Sequence, residues 1–413
     1  MKLYRRNHWY GLCIAVLLIV SFNVSAYSES VTRLSGVSDL HGLKKFYSIP
    51  GFKIGGEYEF GNEAACEFGG KGGVTLESLG QEPLRVAWIE AGTPKRDKNG
   101  KITNAVIISP YYSGDASFMY NFWYEGQKGN KFCRRAVAGP RKIIDTDKYY
   151  VIFLDALGLW GASKPSNGLG MKFPRYSMID VVQANYRLLK DKLGIEKVKL
   201  ATGVSMGAIQ SYIWAVLHPD YVEAIMPVGG ITAMDNTPRW LFQLMSAAMK
   251  SDPVWLETKG DYYHLPKEKH PNKGMMFGWS VLSHSGLSFD FRNRQKWDAV
   301  RKDVFYWNPK EDEGAKLKSK ADDYDVIDLL YRNQSLDAYD INSQLHRIKA
   351  RTLIIHVKDD QWLRYKMAEK AAKAIKGAKL VGVESPLAHY AVFRAPNLAM
   401  VDAVDFLEEV GAK

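Results

Sequence analysis

A serine between two glycines has the residue type and the spacing of a catalytic nucleophile. Ser205 lies in the pentapeptide Gly203-Val204-Ser205-Met206-Gly207, which follows an apolar run and precedes a segment with a helical pattern. A G-x-S-x-G sequence between a strand and a helix forms a sharp turn, where glycines are needed because side chains would collide with neighbouring backbone. An ordinary glycine turn is the alternative. The position between strand and helix favours a nucleophile, and we predict that role for Ser205.

A histidine and a carboxylate downstream complete the residue types that a serine nucleophile requires. A serine hydroxyl needs a base within hydrogen-bond reach and a third group that orients the base. In folds built around this turn, the acid follows the serine along the chain and the histidine comes last. His389 is the histidine that follows the last predicted strand, and Asp359 and Asp360 follow the strand before it. We predict His389 as general base and, from the turn length, Asp360 as the orienting acid, with Asp359 as the alternative.

Two backbone N–H groups are expected to bind the oxyanion that develops during acyl transfer. One belongs to the residue after the nucleophile, Met206. The other should come from the loop after the strand predicted at 104–109, which reads Tyr111-Tyr112-Ser113-Gly114. We assign the second donor to Tyr112. The alternative is that this loop is only a tight structural turn.

The elements that must position these residues alternate between strand and helix. Apolar runs bounded by turn residues predict strands at 84–91, 104–109, 149–155, 198–202, 223–228, 352–357 and 379–383. Amphipathic segments with start and stop residues predict helices at 177–193, 206–218, 365–375 and 397–410. Such alternation implies a mostly parallel sheet covered by helices on both faces. With the serine turn, it predicts the α/β-hydrolase fold.

The alternation of strands and helices is interrupted between residue 231 and about residue 340. We predict one α/β core built from 27–230 and 341–413, and a mainly helical cap inserted at 231–340. The segment from residue 27 to about 81 is rich in glycine, and its structure is left open. Aromatic residues and methionines in the cap could line an acyl pocket or could simply form its core.

The first residues, 1–26, have the three parts of an export signal. Lys2, Arg5 and Arg6 precede an apolar run, and small residues follow it up to Ala26. The run is shorter than the roughly 20 residues that a membrane span needs. We therefore predict cleavage after Ala26, a periplasmic or secreted mature protein, and no membrane span after cleavage. A membrane anchor is the alternative.

The charge pattern gives no sign of a nucleic-acid partner, and we expect the partner to be a small-molecule acyl substrate. The chain of 413 residues carries a formal net charge of +11, but its basic and acidic residues are interleaved, so we expect no nucleic-acid partner. We expect neither a cofactor nor a metal. Cys66 and Cys133 remain after signal cleavage, and the sequence leaves open whether they form a disulfide. It also leaves open whether the protein forms a homodimer.

Three segments resemble the homoserine O-acetyltransferase family, in the oxyanion segment, in a turn before a strand and at the serine turn. They are Asn104-Ala105-Val106 with Ser113-Gly114, Gly139-Pro140 with Ile144-Asp145-Thr146-Asp147-Lys148-Tyr149, and Ser205-Met206-Gly207-Ala208-Ile209-Gln210 with Trp214. The resemblance covers most of 84–230, with a weaker match from 324 to the C-terminus. It implies the same fold, the same triad and an acyl-enzyme.

Two positions depart from the family in the substrate pocket. Family members have an aspartate directly after the catalytic histidine, where this chain has Tyr390, and an arginine in the cap, where the alignment places Trp279. In the family these charged residues hold the ammonium and the carboxylate of the substrate. The resemblance therefore places Tyr390 and Trp279 in the pocket and implies that an amino acid is not the acceptor.

These observations favour a serine hydrolase that cleaves a carboxylic ester or a related acyl bond. The alternative is an O-acyltransferase of the homoserine O-acetyltransferase type with a changed acceptor. A third hypothesis is a binding protein on a hydrolase scaffold, but a triad of the correct residues in the correct order argues against it.

Overall fold

The computed structural model describes residues 39, 42–56, 73–126, 135–296 and 323–411. Within these residues, eight strands form one sheet in the order β1-β2-β6-β3-β7-β8-β9-β10, and β4 and β5 form a separate two-residue pair. The strands are β1 (Lys45–Ile49), β2 (Leu84–Ala91), β3 (Ala105–Ser109), β4 (Ala138–Gly139), β5 (Ile144–Asp145), β6 (Tyr150–Leu154), β7 (Val198–Val204), β8 (Ala224–Val228), β9 (Arg351–Val357) and β10 (Lys379–Val383).

The sheet is parallel from β6 to β10, and only its first edge is antiparallel. β2 pairs antiparallel with both β1 and β6, whereas β3, β7, β8, β9 and β10 pair parallel with their neighbours. All residues of β3, β6 and β8 are buried, as expected for strands covered on both faces. The carboxyl ends of the parallel strands therefore meet at one edge of the sheet, where the loops that follow them can form a site.

Helices cover the sheet, and several lie in the described parts of the segment predicted as a cap, 231–296 and 323–340. They are α1 (Ala116–Met119), α2 (Met178–Arg187), α3 (Met206–Leu217), α4 (Asn236–Lys250), α5 (Pro253–Thr258), α6 (Asn272–His284), α7 (Phe289–Asn293), α8 (Val326–Asp337), α9 (Tyr365–Ala374), α10 (Ala395–Leu398) and α11 (Met400–Gly411). Every residue of α3 except Leu217 is buried, so this helix lies in the interior directly after the serine turn.

The core consists of one apolar cluster on each face of the sheet. Because side chains alternate along a strand, Ile107 of β3 belongs to one cluster and its neighbours Val106 and Ile108 to the other. The first cluster includes side chains of α2, α3, α9 and the cap helices. The second includes side chains of α1 and α11. The two clusters bury both faces of the sheet, which fits the predicted three-layer α/β architecture.

Two helices of the predicted cap, α4 and α6, approach each other closely because α6 carries glycines at the contact. A Cβ at Gly274 of α6 would lie 2.4 Å from the carbonyl oxygen of Met249 in α4, and a Cβ at Gly278 would lie 2.8 Å from the Met249 Cγ. Larger residues would push α6 away from α4. Both helices contribute to the wall of the catalytic cavity described below, so their spacing affects its volume.

Several sequence predictions fall on residues outside the described part of the chain. They are the export signal at 1–26, the two cysteines Cys66 and Cys133, and the middle of the cap at 297–322. Among the described residues, none of the helices combines the length and the apolar character that crossing a bilayer requires.

Candidate active site

Ser205 occupies a strained turn between β7 and α3. Its φ of 56° and ψ of −117° lie in a region that residues other than glycine rarely adopt, and such strain costs of order 1–3 kcal/mol. A Cβ at Gly203 or Gly207 would lie 2.6 or 2.2 Å from the carbonyl oxygen of Ser109, at the end of β3. Glycine at both positions therefore lets the turn pack against β3, and Ser205 itself is 8% exposed.

The structure brings Ser205, His389 and Asp360 into one hydrogen-bonded row. The Nε2 of His389 lies 2.8 Å from the Oγ of Ser205, and its Nδ1 lies 2.7 Å from the Oδ2 of Asp360. A carboxylate at Nδ1 stabilises the tautomer with the proton on Nδ1, which leaves the Nε2 lone pair directed at the serine hydroxyl. This arrangement can remove the hydroxyl proton as Ser205 attacks a carbonyl carbon.

Backbone donors hold Asp360 in place. Its Oδ1 accepts hydrogen bonds from the backbone N–H groups of Trp362 and Leu363, each at 2.9 Å. Asp360 is buried, whereas Asp359 is exposed. The hydrogen bond to His389 is therefore made by the carboxylate that the sequence analysis preferred.

Trp362 packs against the imidazole of His389. Its ring centroid lies 4.6 Å from that of His389, at an interplanar angle of 38°, and its Nε1 donates to the Oγ of Ser285 at 2.7 Å. The indole is thereby anchored to the segment after α6 and limits rotation of the imidazole. Trp362 was not predicted from the sequence, although an aromatic side chain two positions after the predicted orienting acid was a usable signal.

A second histidine supports the same loop. His356 in β9 is fully buried, its Nε2 lies 2.6 Å from the carbonyl oxygen of Leu363, and it lies 3.9 Å from the Oδ2 of Asp360. Burial lowers the pKa of His356, with Asp360 opposing the effect. The neutral ring therefore donates its Nε2–H to Leu363 and ties the loop that carries Asp360 to β9. The sequence signal was a histidine inside an otherwise apolar strand.

The loop that carries Tyr112 lies beside the serine turn. Tyr112, Ser205 and Met206 line the same cavity, and Tyr112 is held at both ends. Its Oη donates to the Oδ1 of Asn333 at 2.5 Å, and its carbonyl oxygen accepts from the Nη1 of Arg332 at 2.9 Å. Neither Arg332 nor Asn333 of α8 was singled out in the sequence analysis, because nothing local indicates that a cap helix reaches this loop.

A cluster of three buried charges supports the same loop from the core. The Nζ of Lys44 lies 2.6 Å from Asp115 and 3.2 Å from Asp155, and Asp115 caps α1 by accepting from the N–H of Phe118. Burial raises the pKa of Asp155 to about 6 although Lys44 opposes the shift. Burial alone would lower the pKa of Lys44, but Asp115 and Asp155 raise it. Lys44 therefore stays charged and links two loops that follow strands.

The cavity next to Ser205 is small and mostly apolar. Its volume is about 30 Å³, which compares with the ~10–15 Å³ that one water molecule requires on this measure. Its wall is built from the serine turn, the loop after β3, helices of the predicted cap and the loop after β9: Tyr112, Ser205, Met206, Ile209, Met234, Pro238, Leu241, Phe242, Leu282, Leu336, Trp362 and Leu363. A groove of about 1120 Å³ exists elsewhere, but none of the triad residues lines it. Of these two cavities, the small one is lined by Ser205.

Trp279 and Tyr390, the two residues predicted to contact substrate, each pack against an aromatic residue of the cavity wall. Trp279 of α6 is buried and packs edge-on against Tyr112, with ring centroids 6.4 Å apart. The ring centroid of Tyr390 lies 5.6 Å from that of Trp362. Neither side chain is part of the wall around the 30 Å³ volume, and their contact with substrate stays a prediction.

Three features together define an α/β hydrolase. They are the order of the strands in the sheet, the turn that carries Ser205, and the hydrogen-bonded row of Ser205, His389 and Asp360. A family model described as alpha/beta hydrolase fold matches residues 138–396. The chain belongs to this family.

The relatives of this chain include both transferases and hydrolases. A homoserine O-acetyltransferase of Trichormus variabilis is 28% identical over 307 residues, which cover 69% of this chain and 79% of the relative. An ethyl acetate hydrolase of Pseudomonas veronii is 25% identical over 326 residues, which cover 74% and 84%. Among solved structures, an acetylester hydrolase from Corynebacterium glutamicum superimposes with a TM-score of 0.69 at 22% identity, covering 89% of this chain and 97% of that one. The predicted resemblance and fold are confirmed.

Proposed function

We propose that the protein is a serine esterase that hydrolyses esters of short carboxylic acids, with acetyl esters as its best substrates. The observation that supports this most strongly is the row Ser205–His389–Asp360 beside a largely apolar cavity of about 30 Å³. The names of two similar proteins, an ethyl acetate hydrolase and an acetylester hydrolase, point to the same bond.

In the first half-reaction, Ser205 attacks the ester carbonyl carbon while its proton moves to the Nε2 of His389. Asp360 stabilises the imidazolium that forms. The carbonyl oxygen becomes an oxyanion, which accepts hydrogen bonds from the N–H groups of Met206 and Tyr112. His389 then gives its proton to the alcohol oxygen as the carbon–oxygen bond breaks, and the acyl group remains on Ser205.

In the second half-reaction, water replaces the alcohol. His389 removes a proton from the water as its oxygen attacks the acyl carbon, and the same two N–H groups bind the second oxyanion. Collapse of this intermediate returns the proton to Ser205 and releases the carboxylic acid. The free enzyme is restored with no cofactor consumed.

The size of the cavity supports a short acyl group. A volume of about 30 Å³ holds an acyl methyl, and a longer chain must displace the side chains around it. Forcing extra methylene groups into a packed apolar region costs typically ~1–3 kcal/mol. We therefore propose acetate as the preferred acid, and a neutral alcohol, because none of the described residues that form the cavity wall is charged.

The second candidate is acyl transfer to an alcohol, which the transferase relatives favour. Tyr390 and Trp279 argue against homoserine as the acceptor, since an ammonium and a carboxylate lose hydration on entering a partly dry pocket. An aromatic ring offers an ammonium roughly 0.5–2 kcal/mol and offers a carboxylate nothing.

Two measurements on the mature protein separate these candidates. Release of acetate from 4-nitrophenyl acetate without added alcohol, lost in Ser205→Ala, supports the esterase. Free thiol released from acetyl-CoA, saturating with homoserine and absent in Ser205→Ala, would instead establish the transferase.

We also propose that the protein works outside the cytoplasm, after cleavage behind Ala26, on small molecules and without a nucleic-acid partner. The basic start, apolar run and small residues within 1–26 support export. N-terminal sequencing of protein recovered from the periplasm or the medium tests the cleavage site. Light scattering of the same sample distinguishes a monomer from a homodimer.

A further inference from the structure

Arg332 is a fully buried arginine whose polar contacts go to uncharged groups. Its side chain belongs to α8 and is 0% exposed. Within the described part of the chain, its contacts are three carbonyl oxygens, a tyrosine hydroxyl and a thioether sulfur. Burying a cation without a carboxylate partner costs several kcal/mol unless good hydrogen bonds replace its hydration. A cation placed here at such a cost indicates a specific role.

The groups that Arg332 contacts belong to the loops that form the catalytic centre. Its Nη1 donates to the carbonyl oxygen of Tyr112 at 2.9 Å and lies 3.4 Å from the Sδ of Met206. Its Nη2 donates to the carbonyl oxygens of Leu157 and Ala156, at 2.8 and 3.3 Å. One guanidinium therefore joins the loops that follow β3, β6 and β7, including both residues whose N–H groups would bind the oxyanion.

The neighbouring residue of α8 holds the other end of Tyr112. Asn333 accepts from the Oη of Tyr112 and donates from its Nδ2 to the Oγ of Ser246 in α4, at 2.9 Å. Tyr112 is thus fixed at its backbone by Arg332 and at its side chain by Asn333. These two contacts restrict the position of Tyr112, the residue whose N–H would bind the oxyanion.

We propose that Arg332 and Asn333 are positioning residues that hold the second oxyanion donor, Tyr112, from the cap helix α8. Neither side chain is part of the cavity wall, so neither is expected to touch substrate. The positive charge of Arg332 adds a favourable field at the oxyanion, because the region is buried and weakly screened. This proposal rests on the proposed acyl-enzyme chemistry of Ser205.

The proposal predicts a loss of transition-state binding with little loss of substrate binding. Removing a complete oxyanion donor lowers kcat about 100- to 1000-fold. A displaced donor should cost less, so we expect Arg332→Gln to lower kcat about 10- to 100-fold and Asn333→Ala about 3- to 10-fold. KM should change less than about 3-fold in both variants, because uniform binding is preserved.

A transition-state analogue provides a readout that a purely structural role would not change. The Oγ of Ser205 adds to the carbonyl carbon of the small ketone 1,1,1-trifluoroacetone. The ketone oxygen then becomes an oxyanion that the N–H groups of Met206 and Tyr112 would bind. The affinity of the ketone, measured by protection of Ser205 from a fluorophosphonate probe, should fall in proportion to kcat/KM across the variants. Leu329→Ala is the control, since Leu329 is a fully buried residue of α8 whose truncation destabilises the fold without removing these contacts.

The outcomes separate the proposal from its alternatives. A lower unfolding temperature with unchanged kcat/KM and ketone affinity is expected for Leu329→Ala, and the same result for Arg332→Gln and Asn333→Ala would overturn the proposal. An equal rise of KM and of the ketone dissociation constant would also overturn it. If Arg332→Gln does not fold, Asn333→Ala alone decides by the same two measurements. If the wild type hydrolyses no ester, the proposed function fails, but the ketone affinities still rank the variants.

Discussion

Replacing Leu282 by alanine should change which acyl chain the protein accepts. Leu282 of α6 is buried and forms part of the wall of the 30 Å³ cavity beside Ser205. Its truncation removes side-chain volume from that wall while leaving Ser205, His389 and Asp360 untouched. The cavity should then admit a chain that the wild type excludes.

Two contributions determine the size of this change: the cost of fitting a longer chain into the wild-type cavity, and the gain from burying that chain in the variant. In the wild type, the two extra methylene groups of a butyryl ester displace packed side chains at a cost of ~1–3 kcal/mol. We therefore expect kcat/KM for 4-nitrophenyl butyrate to be about 5- to 150-fold below that for the acetate. In Leu282→Ala the cost disappears, and each buried methylene group contributes up to ~0.8 kcal/mol. The ratio of butyrate to acetate should rise at least about 5-fold.

The assay is the hydrolysis of 4-nitrophenyl acetate, butyrate and octanoate by wild type and variant, with the unfolding temperature measured in parallel. Leu189→Ala is a matched control, because Leu189 is fully buried but lies outside the cavity wall. It should lose stability, by ~2–5 kcal/mol, without a change in the ratio. An unchanged ratio in Leu282→Ala, or an equal change in Leu189→Ala, would refute the assignment of this cavity to the acyl group.

Three further predictions concern the triad and the charges beneath it. Ser205→Ala should abolish hydrolysis, by up to about a million-fold, and should abolish labelling by a fluorophosphonate; labelling at another serine would contradict the assignment. Asp360→Asn should lower kcat by about 10⁴-fold, whereas Asp359→Asn should be nearly silent, and the reverse order in ester kinetics would transfer the role to Asp359. The third concerns Asp155, because burial raises the pKa of its carboxyl to about 6, above its ordinary value. Its carboxyl therefore contributes its full stability below about pH 4 and loses it as the pH rises through 6. Asp155→Asn should accordingly destabilise the protein less at pH 7 than at pH 4.5 in urea unfolding, and a larger loss at pH 7 would show that the pair with Lys44 dominates.

The residues that meet at the catalytic row could be predicted because each has a local signal. Ser205 lies in a short motif at a strand end, and Asp360 and His389 follow the next strands in an order that the fold fixes. The strands predicted at 84–91 and 379–383 agree with β2 and β10 to the residue. Buried strands are short apolar runs bounded by turns, so their limits are visible in the sequence.

The residues that support this row could not be predicted in the same way. Arg332 and Asn333 lie more than two hundred positions after Tyr112, and their contact depends on how the cap folds back onto the core. The first strand, β1, was missed because it is a mostly exposed edge strand in a glycine-rich region. The helix predicted at 177–193 is α-helical only to Arg187, and the five residues Leu188–Lys192 form a π-helical turn that composition does not reveal.

Lys44 connects the start of the described chain to its catalytic centre. It directly precedes β1, at one edge of the sheet, while His389 follows β10, at the other edge. Residues from both edges of the sheet must therefore be in place before His389 and the loop that carries Tyr112 reach the arrangement seen in the structure. Contacts between residues so distant in sequence form slowly during folding. After dilution from denaturant, ester hydrolysis should consequently recover later than the helical circular-dichroism signal. The activity would then measure the last step of folding.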